Sequence, residues 1–328
     1  MNSLNSHSRI PDVTVAATVP SRFQRPRRDW ASAFGTALTW TATAVVLLAL
    51  ALILGQVLLR GLPGLSWHFI ATIPRKDMFE PKSAAVLSMI IGTTLRVLVM
   101  TIVVIPVGVT TAVYLIEYAA THSPYTRIVR VAINNLAGVP SIVFGLFGLG
   151  FFINFIGKNL DAITRQTGPH FGQPALIWAS LTLAVMTLPV VIVATEEALK
   201  ALAPGLREAS LALGATKLQT IVRVVLPNAF PGILTGGILA ISRAAGEVAP
   251  ILFTGAAYYM ADLPHRLTDQ FMDLGYFTYV LSTQSPDIQK TTPILYSTIL
   301  VLLVLTFSLN ALGIWVRASL RRSRNRGH

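Results

Sequence analysis

Along this chain of 328 residues, apolar positions gather into six long runs, at about residues 33–59, 87–116, 131–156, 175–194, 231–255 and 294–316. A helix rises ~1.5 Å per residue and the hydrocarbon core of a bilayer is ~30 Å thick, so each run is long enough to cross as a helix. A closed barrel would show short alternating segments, and these runs do not alternate. The pattern predicts an all-α membrane protein with six transmembrane helices over residues 33–316 and no soluble domain between them. Composition agrees: 53% hydrophobic residues, 12% charged and a mean hydropathy of +0.63 exceed what a soluble domain carries. The first run is longer than the apolar part of a secretory signal and has no cleavage pattern after it, so an uncleaved first helix is expected.

Between the fourth and fifth runs the pattern changes. Residues 208–227 read EASLALGATKLQTIVRVVLP, with polar positions among short apolar ones. Pro204 opens a short helix, where its missing N–H costs nothing, and Gly214 closes it where a left-handed residue is needed. Thr216 stands three residues before Gln219, the spacing of a capping box, so a second helix starts at once and is expected to end at Pro227. Leu218, Ile221, Val222 and Val225 are expected on one face of it, and Arg207, Glu208, Lys217 and Arg223 on the polar faces of the unit. Such an elbow suits docking to a partner protein; an amphipathic helix lying on lipid is the alternative.

The formal charge of +12 is placed as a topology signal rather than a nucleic-acid footprint. With the N-terminus inside, the inside segments hold 16 Lys and Arg and the outside segments 8, which puts both termini in the cytoplasm. The first outside loop, with Arg60, Arg75, Lys76 and Lys82, is the weakest part of that bias. Residues 1–32 read as a cytoplasmic tail without helical periodicity. Residues 317–328 read as a basic cytoplasmic tail, an orientation signal or a patch for anionic lipid.

Enzyme chemistry finds little support. There is no cysteine, and His7, His68, His122, His170, His265 and His328 are scattered without metal-ligand spacing. Phosphate-loop, HExxH and GxSxG patterns are missing, so no catalytic residue, metal or cofactor is assigned to this chain. If ATP drives it, a separate subunit hydrolyses the ATP.

Charges inside the apolar runs are the candidate chemistry. Arg243 lies 12 residues past Pro231, roughly 18 Å into the fifth run at the helical rise. Glu247 follows four residues later on the same face, so the two can neutralise each other, though Arg before Glu is the less favourable order on an exposed helix. A guanidinium is well shaped for phosphate oxygens. The pair is either an anion contact or gate, or a static bridge to a neighbouring helix. Arg96, toward the outer end of the second run, either snorkels to the interface or attracts anions at the outer mouth. Pro140 and Pro106 fall roughly 14 to 15 Å deep and free carbonyls there or permit bends. Gly138, Gly145, Gly148 and Gly150 are expected to allow close helix approach. In the last outside loop Asp262, Asp269, Asp273 and Asp287 could touch a substrate-binding protein, or are simply solvated.

The stretch 208–227 resembles the EAA loop of binding-protein-dependent ABC importer permeases: E-A-A, three residues, G, nine residues, I-x-L-P. Glu208, Ala209, Gly214, Leu226 and Pro227 match in register, Ser210 replaces the second alanine and Val224 the isoleucine. The resemblance implies a type I ABC importer permease fold, with a coupling helix that seats in a groove of a cytoplasmic ATPase subunit. Two further stretches, NNLAGVPSIVFGLFGLGFF at 134–152 and ISRAAGEVAPILFTG at 241–255, look like helices of the membrane subunits of the phosphate-specific transport system, and the second is more similar to the A-type subunit than to its C-type partner. The similarity runs from about residue 87 onward. It implies transport of inorganic phosphate across the bacterial inner membrane by a complex with a second, C-type permease subunit, two ATP-binding cassette subunits and an extracytoplasmic phosphate-binding protein, with no nucleic acid involved. It also implies functional charges at Arg243 and Glu247. The rivals are an ABC importer for another oxyanion, such as phosphonate, sulfate or molybdate, and an ion-coupled secondary transporter or channel acting alone.

Overall fold

The computed structural model describes residues 30–74, 78–120, 123–164, 168, 170–260 and 262–325. The expected tail at 1–29, the basic residues Arg75, Lys76 and Arg165, and the last three positions of the expected C-terminal tail lie outside the described residues. In chain order the helices are α1 (Trp30–Gly61), α2 (Trp67–Ala71), α3 (Leu87–Val113), α4 (Pro124–Ala137), α5 (Ser141–Phe147), α6 (Lys158–Thr164), α7 (Leu176–Lys200), α8 (Pro204–Ala212), α9 (Lys217–Thr220), α10 (Leu226–Gly246), α11 (Ile251–Thr254), α12 (Leu274–Thr283) and α13 (Ile288–Asn325). Wider π-helical segments at Tyr114–Tyr118, Gly148–Gly157 and Ile221–Val225 link some of them. Among the described residues the one β feature is a bridge between Ala256 and Phe271.

By internal contacts the chain divides at residues 53 and 54. The described part of the first unit is the larger part of α1, whose apolar side chains are exposed, as lipid would require. Thr36, Thr39, Thr41 and Thr43 each donate their hydroxyl to the carbonyl four residues earlier, at 2.7–2.9 Å, so none of these four hydroxyls is left for the bilayer to solvate.

In the second unit α3, α7 and α10 share a core. Val97, Met100 and Val104 of α3 meet Leu183, Met186 and Val191 of α7 and Ala240 and Ala244 of α10. The α7–α10 contact is made by small residues one helical turn apart. Gly232 lies against Ala198, and a Cβ added at Gly236 would sit 2.7 Å from the Ala194 Cβ. In lipid, where apolar burial hardly drives helix association, such close backbone approach supplies the packing. At one end of this core Ala112, Leu115, Ile192, Leu199, Val225, Ala229 and Ile233 form a second cluster. At the other, Met89, Met272, Leu274, Phe277 and Ile294 form a third. Helix α13 packs on α10 and α12, with Ser242 Oγ bonded to Asn310 Oδ1 at 2.6 Å.

Six helical stretches are long and apolar enough to cross a membrane: Ser32–Gly64, Leu87–Tyr118, Ser141–Thr164, Leu176–Lys200, Lys217–Gly246 and Ile288–Ser319. The chain is a multi-pass membrane protein of six spans, as the hydrophobic runs predicted, but the bounds of the third and fifth spans move. The third span begins at Ser141 rather than near 131, because Gly138 ends α4 and Pro140 takes extended backbone (φ −57°, ψ 139°) before α5. Residues 131–137 belong to α4, whose Arg127, Arg130 and Asn134 give it a polar side. The fifth span starts at Lys217, since the helix does not stop at Pro227. The π segment Ile221–Val225 leads directly into α10, and a wide turn is where a helix can absorb a proline lacking its N–H. It then breaks after Gly246, and Glu247 is extended (φ −81°, ψ 130°). The region read as a basic C-terminal tail begins inside α13, which continues to Asn325.

The glycines of the third span divide. Gly145 faces the backbone of Ala249 and Pro250, and Gly148 faces Thr182 and Thr254, both too closely for a side chain. Gly150 is open, and Gly138 meets only its own turn. Within this chain neither meets another helix closely.

Candidate translocation and coupling site

The elbow is built as its residues dictate. Ala203 lies extended (φ −57°, ψ 130°) before Pro204 at the first turn of α8. Gly214 adopts φ +84°, a left-handed conformation costly for any residue with a Cβ. Its N–H reaches Leu211 O at 2.9 Å and the Ala215 N–H reaches Ser210 O at 3.2 Å, the paired bonds of a Schellman stop. Thr216 then caps α9. Its hydroxyl accepts from Gln219 N at 3.3 Å while Gln219 Oε1 accepts from Thr216 N at 2.9 Å, the reciprocal box expected from the spacing. Ser210, at the position where the EAA pattern has its second alanine, exchanges a 2.9 Å hydrogen bond with Thr220 across the bend.

Two of the side chains expected on polar faces instead brace the elbow to the end of α3. Arg207 Nε pairs with Glu117 Oε1 at 2.9 Å and its Nη2 donates to Leu199 O at 2.9 Å. The Lys217 ammonium stands over the Tyr118 ring, 4.7 Å from its centre. Glu208, Ala209, Gly214 and Pro227 are exposed and Leu226 is half-buried. Leu213, beside Gly214, is 89% exposed. The face expected on the second helix splits: Ile221 and Val225 are buried, whereas Leu218 and Val222 are exposed. Residues 221 and 225 point to the core cluster, and the other pair lies on the adjoining stripe.

Some distance along α3 the charged residues gather around the break that ends α10. Arg96 is nine residues into α3, roughly 14 Å along the helix. It does not snorkel: its side chain and that of Asp273 are both 0% exposed, and Arg96 Nη2 lies 2.8 Å from Asp273 Oδ2. Arg96 Nη1 donates to Ala244 O at 3.0 Å and Glu247 O at 3.3 Å, and Nη2 to Ala245 O at 3.4 Å. These carbonyls lie at the open end of α10, where Ala244 O also accepts from Glu247 N at 3.3 Å, so a cation here adds bonds to them and meets the negative end of the helix dipole. Both terminal nitrogens are bonded and Nε alone is buried without a partner, so the inward position is held by the ion pair and the carbonyls.

Asp273 is held equally firmly. Its Oδ2 also accepts from Thr93 Oγ1 at 2.9 Å, and its Oδ1 accepts from Gly275 N at 2.9 Å and Tyr276 N at 3.2 Å. It is therefore the N-cap of α12 and a buried ion-pair partner, not a solvated or docking acid. Burial raises the pKa of Tyr276, with Tyr258 and Tyr279 adding to the effect, so that phenol stays neutral beside it. Asp269, half-buried, braces its own loop by accepting from the N–H groups of His265 and Arg266 at 3.0 and 2.8 Å.

Arg243 and Glu247 do come together, with Nε to Oε1 at 3.6 Å and 40% and 22% of their side chains exposed. Glu247 lies just past the end of α10, its carbonyl pinned by Arg96, while its carboxylate reaches back to Arg243. The structure therefore groups Arg96, Arg243 and Glu247 around one helix break and leaves Glu208, Ala209, Gly214, Leu226 and Pro227 at the elbow. Pro140, before the third span, is close to neither group in sequence, but Gly145 of α5 packs on Ala249 and Pro250 of the break.

A family model described as "binding-protein-dependent transport system inner membrane component" matches residues 104–322. The chain belongs to that family. Of its curated relatives, the phosphate transport system permease protein PstA of Mycobacterium leprae is 36% identical over 227 residues, 69% of each chain. PstA of Pasteurella multocida is 32% identical over 218 residues, covering 66% of this chain and 71% of that one. The probable ABC transporter permease protein YqgI of Bacillus subtilis is 32% identical over 219 residues, 67% of this chain and 68% of its own. A bacterial alginate ABC transporter in complex with its periplasmic protein superposes with a TM-score of 0.58 at 14% identity, over 87% of this chain and 97% of that chain. The MetNI methionine ABC transporter gives 0.51 at 19%, over 72% and 94%. The fold is that of the type I ABC importer permeases.

For a transport component of this kind, sequence reasoning missed two features. Asp273 carries a local signal, an acid just before the apolar run LGYFTYVL, which reads as an N-cap. Its partner, 177 positions away at Arg96, carries none. The small-residue spacing GILTG at 232–236 was legible as a packing stripe.

Proposed function

We propose that this chain is a membrane-spanning subunit of an ATP-driven importer that moves inorganic phosphate inward across the bacterial cytoplasmic membrane, with both termini and the elbow on the cytoplasmic side. It acts beside a second, C-type permease subunit, two ATP-binding cassette subunits and an extracytoplasmic phosphate-binding protein. ATP is bound and hydrolysed by the cassette subunits, and this chain is not an enzyme and needs no cofactor of its own.

The elbow carries this reading. Its outer face presents Glu208, Ala209, Leu213 and Gly214 to a partner, while its inner face is tied to Glu117 and Tyr118. Displacement of the elbow by the ATPase would pull on the end of α3 through the Arg207–Glu117 pair. A continuous helix transmits that pull along its axis. Arg96 on the same helix grips the carbonyls at the break, so motion of α3 shifts Glu247 relative to Arg243. The half-exposed guanidinium of Arg243 is the anion contact, and Glu247 competes for it as the path opens. Arg96 serves as part of the gate by holding the break. The choice of phosphate rests on the relatives named phosphate transport permeases and on the fit of guanidinium to phosphate oxygens.

Reconstitution with the partner subunits tests this directly. ATP-dependent uptake of labelled phosphate that also requires the binding protein is the expected result. Uptake without any ATPase subunit would make the chain a secondary transporter. Preferential competition by sulfate, molybdate or a phosphonate would reassign the substrate.

A further inference from the structure

A cavity of ≈ 640 Å³ opens between the end of α3, the start of α4 and the end of α7, lined by Ser123, Thr126, Arg127, Arg130, Asn134 and Lys200 on its polar side. It is remote in sequence from the Arg243–Glu247 pair and belongs to the elbow end of the molecule, because Lys200 is followed at once by the elbow. No acid lines it. The carboxylates that reach its cations are Glu196, held by Arg130 at 2.7 Å and Lys200 at 3.4 Å, and Glu197, 3.0 Å from Lys200. Arg127 makes no ion pair among the described residues. Three cations facing two carboxylates leave one positive charge, which a monoanion would balance. A second, independent feature points the same way. Thr126 is only 8% exposed, and its hydroxyl has no hydrogen-bond partner among the described residues although it lines this cavity. The hydroxyl is not sealed from the cavity, unlike the buried unpaired Thr195 Oγ1, so it is available to bond a ligand there.

We propose that this cavity binds the phosphate group of an anionic lipid headgroup, with Arg127 supplying the charge and Thr126 a hydrogen bond. A phosphodiester carries a single negative charge and so matches the residual charge of the cluster. The non-polar wall of the same cavity, Leu115, Ile116 and Val131, suits the glycerol and upper acyl chains. Helix α4 turns Tyr125 and Ile128 outward, the aromatic and apolar residues expected where a helix lies at the headgroup level. Basic pockets at helix ends on the cytoplasmic face are suited to such headgroups. The cavity also bears on coupling. Leu115 and Ile116 line it, while Glu117 and Tyr118 on the same π-helical turn hold Arg207 and Lys217 of the elbow. A bound headgroup would stiffen that turn and make transmission from the elbow dependent on anionic lipid, whichever anion is transported.

The test uses the intact transporter complex in nanodiscs of phosphatidylcholine, alone or with phosphatidylglycerol. The expected result is that the wild type retains phosphatidylglycerol on transfer to detergent, read by native mass spectrometry, and hydrolyses ATP faster in its presence. Arg127→Gln should bind it about tenfold more weakly and lose the stimulation, while its activity in pure phosphatidylcholine stays at the wild-type level. Thr126→Val, which keeps the side chain's shape, should shift affinity in the same direction and guards against a folding defect in the first variant. A second arm measures labelled inorganic phosphate binding in phosphatidylcholine alone, in an Arg243→Gln background that removes the proposed transport contact. Binding there that is lost with Arg127→Gln supports the phosphate-group site and makes the free anion its occupant. Lipid retention and phosphate binding both indifferent to Arg127 and Thr126 would overturn the proposal.

Discussion

Asp273→Asn perturbs the clamp at the helix break while changing few atoms. The amide keeps the size of the carboxylate, and its oxygen can still accept from the N–H groups of Gly275 and Tyr276 as Oδ1 does now. What is lost is the charge 2.8 Å from the Arg96 guanidinium, in a place with no solvent on either side chain. Removing one member of a buried ion pair costs about 3–5 kcal/mol, because the survivor is left as an uncompensated buried charge. Arg96 retains its bonds to the carbonyls of Ala244, Ala245 and Glu247, which sets the expected cost near the low end, ~3 kcal/mol. At 1.4 kcal/mol per decade this is on the order of a hundredfold increase in local opening. Hydrogen exchange followed by mass spectrometry in nanodiscs reads it: amides in the first turn of α12 and at residues 244–248 should exchange on the order of a hundredfold faster. Thr93→Val, which removes a neutral donor to the same carboxylate and the acceptor of the Leu274 N–H at 3.0 Å, should cost about 1–3 kcal/mol. Replacing the pair together, Arg96→Met with Asp273→Leu, should not recover the protection, because the carbonyls of Ala244, Ala245 and Glu247 and the N–H groups of Gly275 and Tyr276 then lose their partners as well. Exchange in Asp273→Asn within about threefold of wild type would refute the view that this pair holds the break closed.

Other expectations follow from the same geometry. Glu208→Ala, and Gly214→Ala with its ~1–2 kcal/mol strain at positive φ, should lower uptake while leaving membrane insertion intact; normal uptake and coupled ATP hydrolysis in both would remove the elbow from the mechanism. Arg243→Gln should abolish uptake with the complex still assembled on a sizing column, whereas loss of assembly would make the Arg243–Glu247 pair a structural bridge. Gly236→Val should separate α7 from α10, because the new side chain would collide with Ala194; a fall in purified, monodisperse complex is expected, and the wild-type yield would contradict the packing argument.

The elbow was legible from residues 204–227 alone, since each of its parts is a local device. A proline at the first turn, a left-handed glycine stop and a Thr–Gln capping box all act over four or five residues, and the structure reproduces each of them. The same locality misled the reading at Pro227, where a π-helical segment carries the helix onward. At Pro140 hydropathy alone joined what the backbone divides.

The number of spans and their helical state were determined by the chain's own pattern, because long apolar runs in lipid have few ways to satisfy their backbone groups. The pairing of Arg243 with Glu247 is also local, four positions apart. Whether a charge is exposed or buried was decided only when distant segments met. Arg96 and Asp273 each look like a residue near an interface, and each would be costly to bury alone. Folding brings them within 2.8 Å of each other and places the open end of α10 beside the guanidinium, so two charges that sequence assigns to water become the clamp of the bundle. The energy of that arrangement lies in the contact between segments, and no local stretch of the chain contains it.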